Sequence, residues 1–355
     1  MNRSTGHRLL CELRRTTHRF YSQSRSQPRR THLPRTLTFA LGLGAIGCTS
    51  LYFFYPDPSR SAPTSAKVPL SPSHFTPAIV LSNELSGPDT KLLQVTVAPD
   101  LLPPNDPANP SFAPIWSVYI KDDDIQVERP YTPLEGIDER GCMLFWIKKY
   151  PKGEVGRWLH AKRPGDQIAL RGPLATWPWK EGVWDEVVMI SGGTGITPFY
   201  QLFHSVISRQ TDQNTRFTLL HSSRTPADIP PPHIMDPLTN YAAENSGRFR
   251  LGLFVDSFDG PAAPSHLPKA QIGRIGRGAI EQSLGLSNAQ DSWWTRIFGK
   301  TQPAKPVNGN ILFLVCGPDP MISAIAGPYG RNFSQGPVGG VLREMGIPSK
   351  QVWKL

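Results

Sequence analysis

The chain is predicted to fold as two domains in series, an antiparallel β domain followed by a parallel α/β domain. Three observations carry that expectation. Across residues 79–179, short apolar strands are separated by Gly, Pro and Asp clusters, without a long helix between them. From about Gly182 onward, β-branched runs alternate with helix-period stretches, as in a parallel sheet with crossover helices. At the head of that second half, residues 185–205 read as a strand, a glycine turn and a helix start.

In the first domain (79–181) the strands fall at 92–97, 115–120, 125–127, 143–149 and 167–171. In the second (182–355) they fall at 187–190, 217–221, 249–255 and 311–316. Turns after the carboxyl ends of parallel strands are where such sheets hold ligands. Residues 257–309 interrupt this alternation; 275–284 suits a domain helix, and the rest is longer than a connection needs. Within it, Trp293-Trp294-Thr295-Arg296-Ile297-Phe298 reads either as a partner- or membrane-contacting cluster or as packing on the domain's own surface.

Residues 1–35 hold nine arginines against one acid, Glu12, so eight of the ten net positive charges sit there. Basicity concentrated in a terminal segment is an address rather than a binding face, which sets nucleic acid aside. Rich in Arg, Ser and Thr, this segment reads as a mitochondrial presequence. Residues 36–55 are uncharged and end in four aromatics, Tyr52 to Tyr55. As a helix they would match the roughly 30 Å hydrocarbon core. With the basic side retained in the matrix, the head would lie in the intermembrane space, anchored to the inner membrane. Residues 56–78 are Pro-rich and read as a tether with a reach of about 60–70 Å if extended. The four cysteines, Cys11, Cys48, Cys142 and Cys316, have no paired spacing, which argues against a disulfide framework, a zinc site and covalent haem attachment.

Four motifs carry chemistry. Arg129-Pro130-Tyr131-Thr132-Pro133 offers a bidentate cation for a pyrophosphate, an aromatic face for a ring system and a small hydroxyl. On a strand, Arg129 and Tyr131 would share one side and Thr132 the other. The run Lys148-Lys149-Tyr150 leads to Gly153-Glu154-Val155-Gly156-Arg157-Trp158, a glycine-containing helix start that presents amides to a phosphate. In Ser191-Gly192-Gly193-Thr194-Gly195-Ile196-Thr197-Pro198 the pattern is G-x-G-x-x-P, with Thr197 placed to cap a helix begun by Pro198. Finally, Cys316-Gly317-Pro318-Asp319-Pro320-Met321 puts a thiol at the end of a parallel strand.

In this order the four motifs resemble the ferredoxin–NADP⁺ reductase superfamily, and within it the NADH–cytochrome b5 reductase branch, over roughly residues 80–355. The resemblance implies a Greek-key barrel holding FAD and a Rossmann-like domain holding NADH or NADPH. It implies that Arg129 pairs with the flavin pyrophosphate, that Tyr131 packs on the flavin and that Thr132 bonds near the flavin N5. Lys148 and Tyr150 would line the flavin strand. The segment Gly153, Val155, Gly156 and Trp158 would hold phosphate. Gly193, Thr194 and Gly195 would approach the nicotinamide nucleotide, with Gly317, Pro318 and Met321 facing it. Cys316 would sit beside the nicotinamide and, with Thr132, form the catalytic pair.

Gly156 replaces a serine usual in the branch, and the tail Trp353-Lys354-Leu355 lacks a terminal aromatic, leaving Trp353 open as a flavin cover. The anchor and the C-terminal segment further resemble fungal mitochondrial flavoproteins that assist haem attachment to cytochrome c. The expected function is thus electron transfer from NAD(P)H through flavin to haem or a haem protein, cytochrome c or its attachment machinery. A general cytochrome b5 reductase-like enzyme and a flavin-containing scaffold are the alternatives. Ser222 and Arg224 lie where an adenosine ribose would bind; Arg224 reads either as a 2′-phosphate ligand or as a solvated loop arginine.

Overall fold

The computed structural model describes residues 62–104, 112–122, 127–211, 214–260, 269–286 and 309–355. The presequence and membrane-span expectations at 1–35 and 36–55, the start of the 125–127 strand and the aromatic cluster at 293–298 lie outside the described residues. Among the described residues, no helix is long and apolar enough to cross a membrane.

The first domain is one antiparallel sheet of β1 (Thr76–Gly87), β2 (Thr90–Thr96), β3 (Ile115–Lys121), β4 (Glu128–Tyr131), β5 (Cys142–Lys148) and β6 (Gln167–Trp177), in the order β4-β3-β6-β1-β2-β5. Its two edges are drawn together where the Leu134 N–H donates to the Leu144 carbonyl at 2.8 Å. Strand alternation divides the work of β5. Met143, Phe145 and Ile147 fill the interior of this sheet, whereas Leu144 and Trp146 on the other face join the core of the second domain. The expectation of short strands missed β1, at twelve residues the longest, because Ser82, Asn83 and Glu84 interrupt its apolar pattern.

The second domain is a parallel sheet of β7 (Glu186–Gly192), β8 (Arg216–Ser223), β9 (Phe249–Val255), β10 (Gln271–Ile272), β11 (Ile311–Cys316) and β12 (Val352–Lys354), in the order β10-β9-β8-β7-β11-β12. β7 is buried throughout because both its faces are covered: Val187 and Met189 pack on one side, Val188 and Ile190 on the other. Each such burial contributes about 1.5–3 kcal/mol. The helices are α1 (Glu154–Ala161) in the first domain, then α2 (Thr197–Leu202), α3 (Pro232–Glu244), α4 (Arg277–Ser283), α5 (Asp319–Ala326) and α6 (Gly340–Glu344) in the second. α4 matches the helix expected at 275–284.

The domains share one apolar core. Ile115, Leu134, Trp146 and Trp177 from the first domain pack with Phe199, Leu202 and Phe217 of the second. Gln201 on α2 fixes the junction: its Oε1 accepts from the Trp116 N–H at 2.8 Å and its Nε2 donates to the Pro133 carbonyl at 2.9 Å, both buried. Farther along, the Lys148 Nζ pairs with the Asp228 carboxylate at 2.9 Å, with side chains only 9% and 15% exposed.

The Pro-rich segment departs from the tether reading over its described part. Phe75 exchanges hydrogen bonds with Pro63 and Ser65, and the Leu70 N–H donates to Leu101 O at 2.7 Å. Leu70 and Phe75 are buried. Arg171 holds the segment from β6: it donates twice to Glu128 Oε2 and once to the Pro72 carbonyl at 3.0 Å, and its guanidinium lies over Tyr119 and Phe75. Proline content favoured an extended chain; two buried apolar residues among the prolines pulled it onto the sheet.

Candidate active site

The sheet order reverses between β7 and β11: the chain continues from β7 to β8 on one side, while β11 lies on the other. In an open parallel sheet that switch point leaves a crevice at the carboxyl ends. Here the crevice is floored by the turn Gly193–Ile196 after β7 and by Cys316 and Gly317 after β11. Gly193 takes φ +52°, a left-handed value that suits glycine. Gly195 is required for space, since a Cβ there would collide with the Cys316 carbonyl and stand 2.7 Å from Gly317 Cα. Thr197 does not cap α2 as expected. It is the first helical residue, and its hydroxyl donates to the Thr194 carbonyl at 3.1 Å, locking the turn against the helix.

The first domain supplies the opposite wall. Arg129 and Tyr131 from β4, Thr132 just beyond it and Tyr150 after β5 line a cleft of about 510 Å³ with Thr194, Gly195 and Cys316. β4 ends at Tyr131, so the strand alternation expected to turn Thr132 away does not apply, and all three residues reach the cleft. Burial raises the Tyr131 phenol well above its ordinary range, ahead of the opposing effect of Arg129. Burial also pushes the Cys316 thiol up to about 12, so it is a neutral thiol at pH 7. A second hollow of about 280 Å³ continues from the first past Lys148, Tyr150, Gly192 and Pro318, and Gly193, Ser222, Arg224 and Met321 line it.

This trough fits FAD at its barrel end. The N-terminus of α1 has no side-chain cap, so its first amides are available, and Gly153, Val155 and Gly156 line the cleft beside the exposed Arg129 guanidinium. A Cβ on Gly156 would press to 3.0 Å on the Lys148 carbonyl, so a serine here would crowd this turn. A cation facing uncapped helix amides is a donor set for a pyrophosphate.

Most expected site residues converge on this trough; three differ. Trp158 lies outside both hollows, packed half-buried on the barrel core under the Lys162 ammonium at 4.1 Å, because its position on α1 faces the barrel core. Lys148 lines the trough but its ammonium is committed to Asp228. Trp353 packs into the shared core from β12, and Leu355 reaches the cleft instead. Asp228, Asp256 and Arg274 were missed. They lie at loop positions that follow β8, β9 and β10, and a strand-end rule applied to those loops would have found them.

A six-stranded antiparallel domain and a doubly wound parallel domain meeting at such a trough define a two-domain flavin- and nicotinamide-nucleotide-binding oxidoreductase. The Oxidoreductase FAD-binding domain family matches residues 115–179, and the Oxidoreductase NAD-binding domain family matches residues 189–327. The NADH-cytochrome b5 reductase 2 of Yarrowia lipolytica is 30% identical over 282 residues, covering 79% of this chain and 81% of that protein. The chain belongs to the NADH–cytochrome b5 reductase family. The protein of the same name from Mycosarcoma maydis is 33% identical over 236 residues, 66% of this chain and 59% of the relative, so the chain spans about three-fifths of that protein's length. The cytochrome b5 reductase domain of Ulva prolifera nitrate reductase shares the fold, with a TM-score of 0.57 and 20% identity over 81% of this chain and all of that domain.

Proposed function

We propose that the chain is an FAD-dependent oxidoreductase that takes electrons from NADH and delivers them to a haem protein. The observation that carries this reading is that Arg129 and the start of α1 line the same cleft as the Gly195–Cys316 switch point. Bound FAD would supply the redox chemistry that links a two-electron nicotinamide donor to a one-electron haem acceptor. Arg129 and the α1 amides would hold the flavin pyrophosphate. Tyr131, kept protonated by burial, serves as a flat neutral wall, and Thr132 and Thr194 offer hydroxyls from the two domains. Cys316 supplies a soft neutral surface rather than a nucleophile. The shared core and the Gln201 bridges fix the two walls relative to each other, which orients groups bound between them.

The finer reading places the protein in the mitochondrial inner membrane through residues 36–55, its head in the intermembrane space. The acceptor there is haem or its complex with cytochrome c and the attachment machinery. The arginine-rich start, the uncharged run and the C-terminal likeness support it. The full chain in detergent should be yellow and bleach anaerobically on adding NADH, then recolour on adding ferric haem–apocytochrome c. A colourless, folded protein would defeat the flavin reading. Recolouring by cytochrome b5 but not by haem–apocytochrome c would defeat the finer one.

A further inference from the structure

Three polar side chains are buried where covered parallel strands are ordinarily apolar. Ser191 ends the apolar run of β7, and its register partner on β8 is His221. Ser223 stands two residues farther along β8 and so on the same face.

The three form one line of bonds. The Ser191 hydroxyl lies 2.8 Å from His221 Nδ1, whereas its other acceptor, the Leu220 carbonyl, is at 3.5 Å. His221 Nε2 lies 3.1 Å from Ser223 Oγ, whose own proton goes to the Asp228 carbonyl at 3.2 Å. The Asp228 carboxylate in turn accepts from the Lys148 ammonium and the Thr225 hydroxyl, each at 2.9 Å. The line therefore starts at the strand end that carries the Gly193–Ile196 turn and crosses β8. It finishes at a β5 cation that lines both hollows.

A polar line in an apolar core is costly unless every member is bonded; fully bonded, it rigidifies and selects one geometry. Here the geometry is a spacing. Ser223 holds the backbone of residue 228, and the residue 228 carboxylate holds the Lys148 ammonium at the passage between the two hollows.

We propose that His221 is a positioning residue for flavin reduction by NADH. It braces the glycine turn against the Asp228–Lys148 pair, so the floor of the cleft and its barrel wall keep one separation. The inference rests on the reading of the trough as a flavin and nicotinamide site.

The test is anaerobic stopped-flow reduction of the flavin-loaded full chain, read as the limiting bleaching rate at saturating NADH. His221→Phe keeps a flat ring and removes both nitrogens. It should retain the flavin spectrum and lower the limiting rate about tenfold, because small misplacements of reacting groups are costly. His221→Gln, able to accept from Ser191 and donate to Ser223, should recover that rate to within about threefold. Ile280→Val loosens the core at α4 without touching the line and should leave the rate within about twofold, which separates positioning from general stability. Asp228→Ala removes the output of the line, so in that background His221→Phe should slow bleaching by less than about threefold. Where His221→Phe does not hold flavin, Ser191→Ala and Ser223→Ala, each cutting a single bond, replace it in the comparison. A full rate in His221→Phe or in both serine replacements, or equal slowing with and without the Asp228 carboxylate, would overturn the brace while leaving the site standing. A flavin-loaded, unaltered protein that NADH does not bleach would overturn the brace and the reading of the site together.

Discussion

At the residue scale, two titrating groups give opposite expectations. Cys316 is a thiol whose burial pushes it up to about 12, so almost none is thiolate at pH 8. We expect iodoacetamide to alkylate it more than about 100-fold slower than an ordinary cysteine, read by mass spectrometry of the native protein. Rapid alkylation would mean that the thiol is ionised and chemically active. His221 is fully buried between Ser191 and Ser223, and burial lowers it to about 3. The Ser223 hydroxyl donates to the Asp228 carbonyl at 3.2 Å, so Ser223 Oγ accepts from His221 Nε2–H, and the Ser191 hydroxyl donates to Nδ1. All three bonds are satisfied by one neutral tautomer. The unfolded chain takes up a proton near pH 6.5 that the folded chain refuses until about 3, so this contribution is complete above pH 6.5 and is lost as pH falls. The slope approaches about 1.4 kcal/mol per pH unit within that window. Urea midpoints measured at pH 7 and pH 5 should therefore differ less in His221→Gln than in the unaltered protein.

At the element scale, the β7 turn is the sensitive part. Gly195→Ala would place a methyl against the Cys316 carbonyl and push the ends of β7 and β11 apart. We expect a destabilisation of about 1–3 kcal/mol and flavin reduction by NADH slowed by roughly tenfold or more, since small misplacements of reacting groups are costly. Stopped-flow bleaching reads the second quantity; an unchanged rate would show that the turn does not align the nucleotide. The strand and turn were legible because Val187, Val188, Met189 and Ile190 run without interruption into glycines. Orientation within short elements was not. Trp158 lies two residues beyond a cleft-lining glycine, but helical rotation carries it around to the barrel core. Thr197 has the residue type of a cap and sits one position too far inside the helix to serve as one.

At the scale of the whole molecule, the two-domain order was readable from strand spacing, while the contacts joining the domains were not. Lys148 and Asp228 are 80 positions apart, and nothing local to either marks the other as its partner. Lys148→Ala would leave a mostly buried carboxylate with only Thr225 and the exposed Arg224 as partners, costing about 1–3 kcal/mol, and chemical denaturation should show it; a loss below about 1 kcal/mol would mean that water already screens the pair. The clasp of residues 63–75 has a further consequence for autonomy. Phe75 lies against the Lys121 ammonium at 4.5 Å and the Arg171 guanidinium at 5.7 Å, so a protein trimmed to start at residue 79 would lose that aromatic ring together with the Pro72 acceptor of Arg171. Losing a buried Phe costs about 3–5 kcal/mol, which for a head of this size lowers the melting temperature by roughly 10 °C. A protein starting at residue 62 should not pay that penalty. The smallest piece able to stand alone therefore reaches back through the prolines, and what reads as a leash is in part the first turn of the folded body.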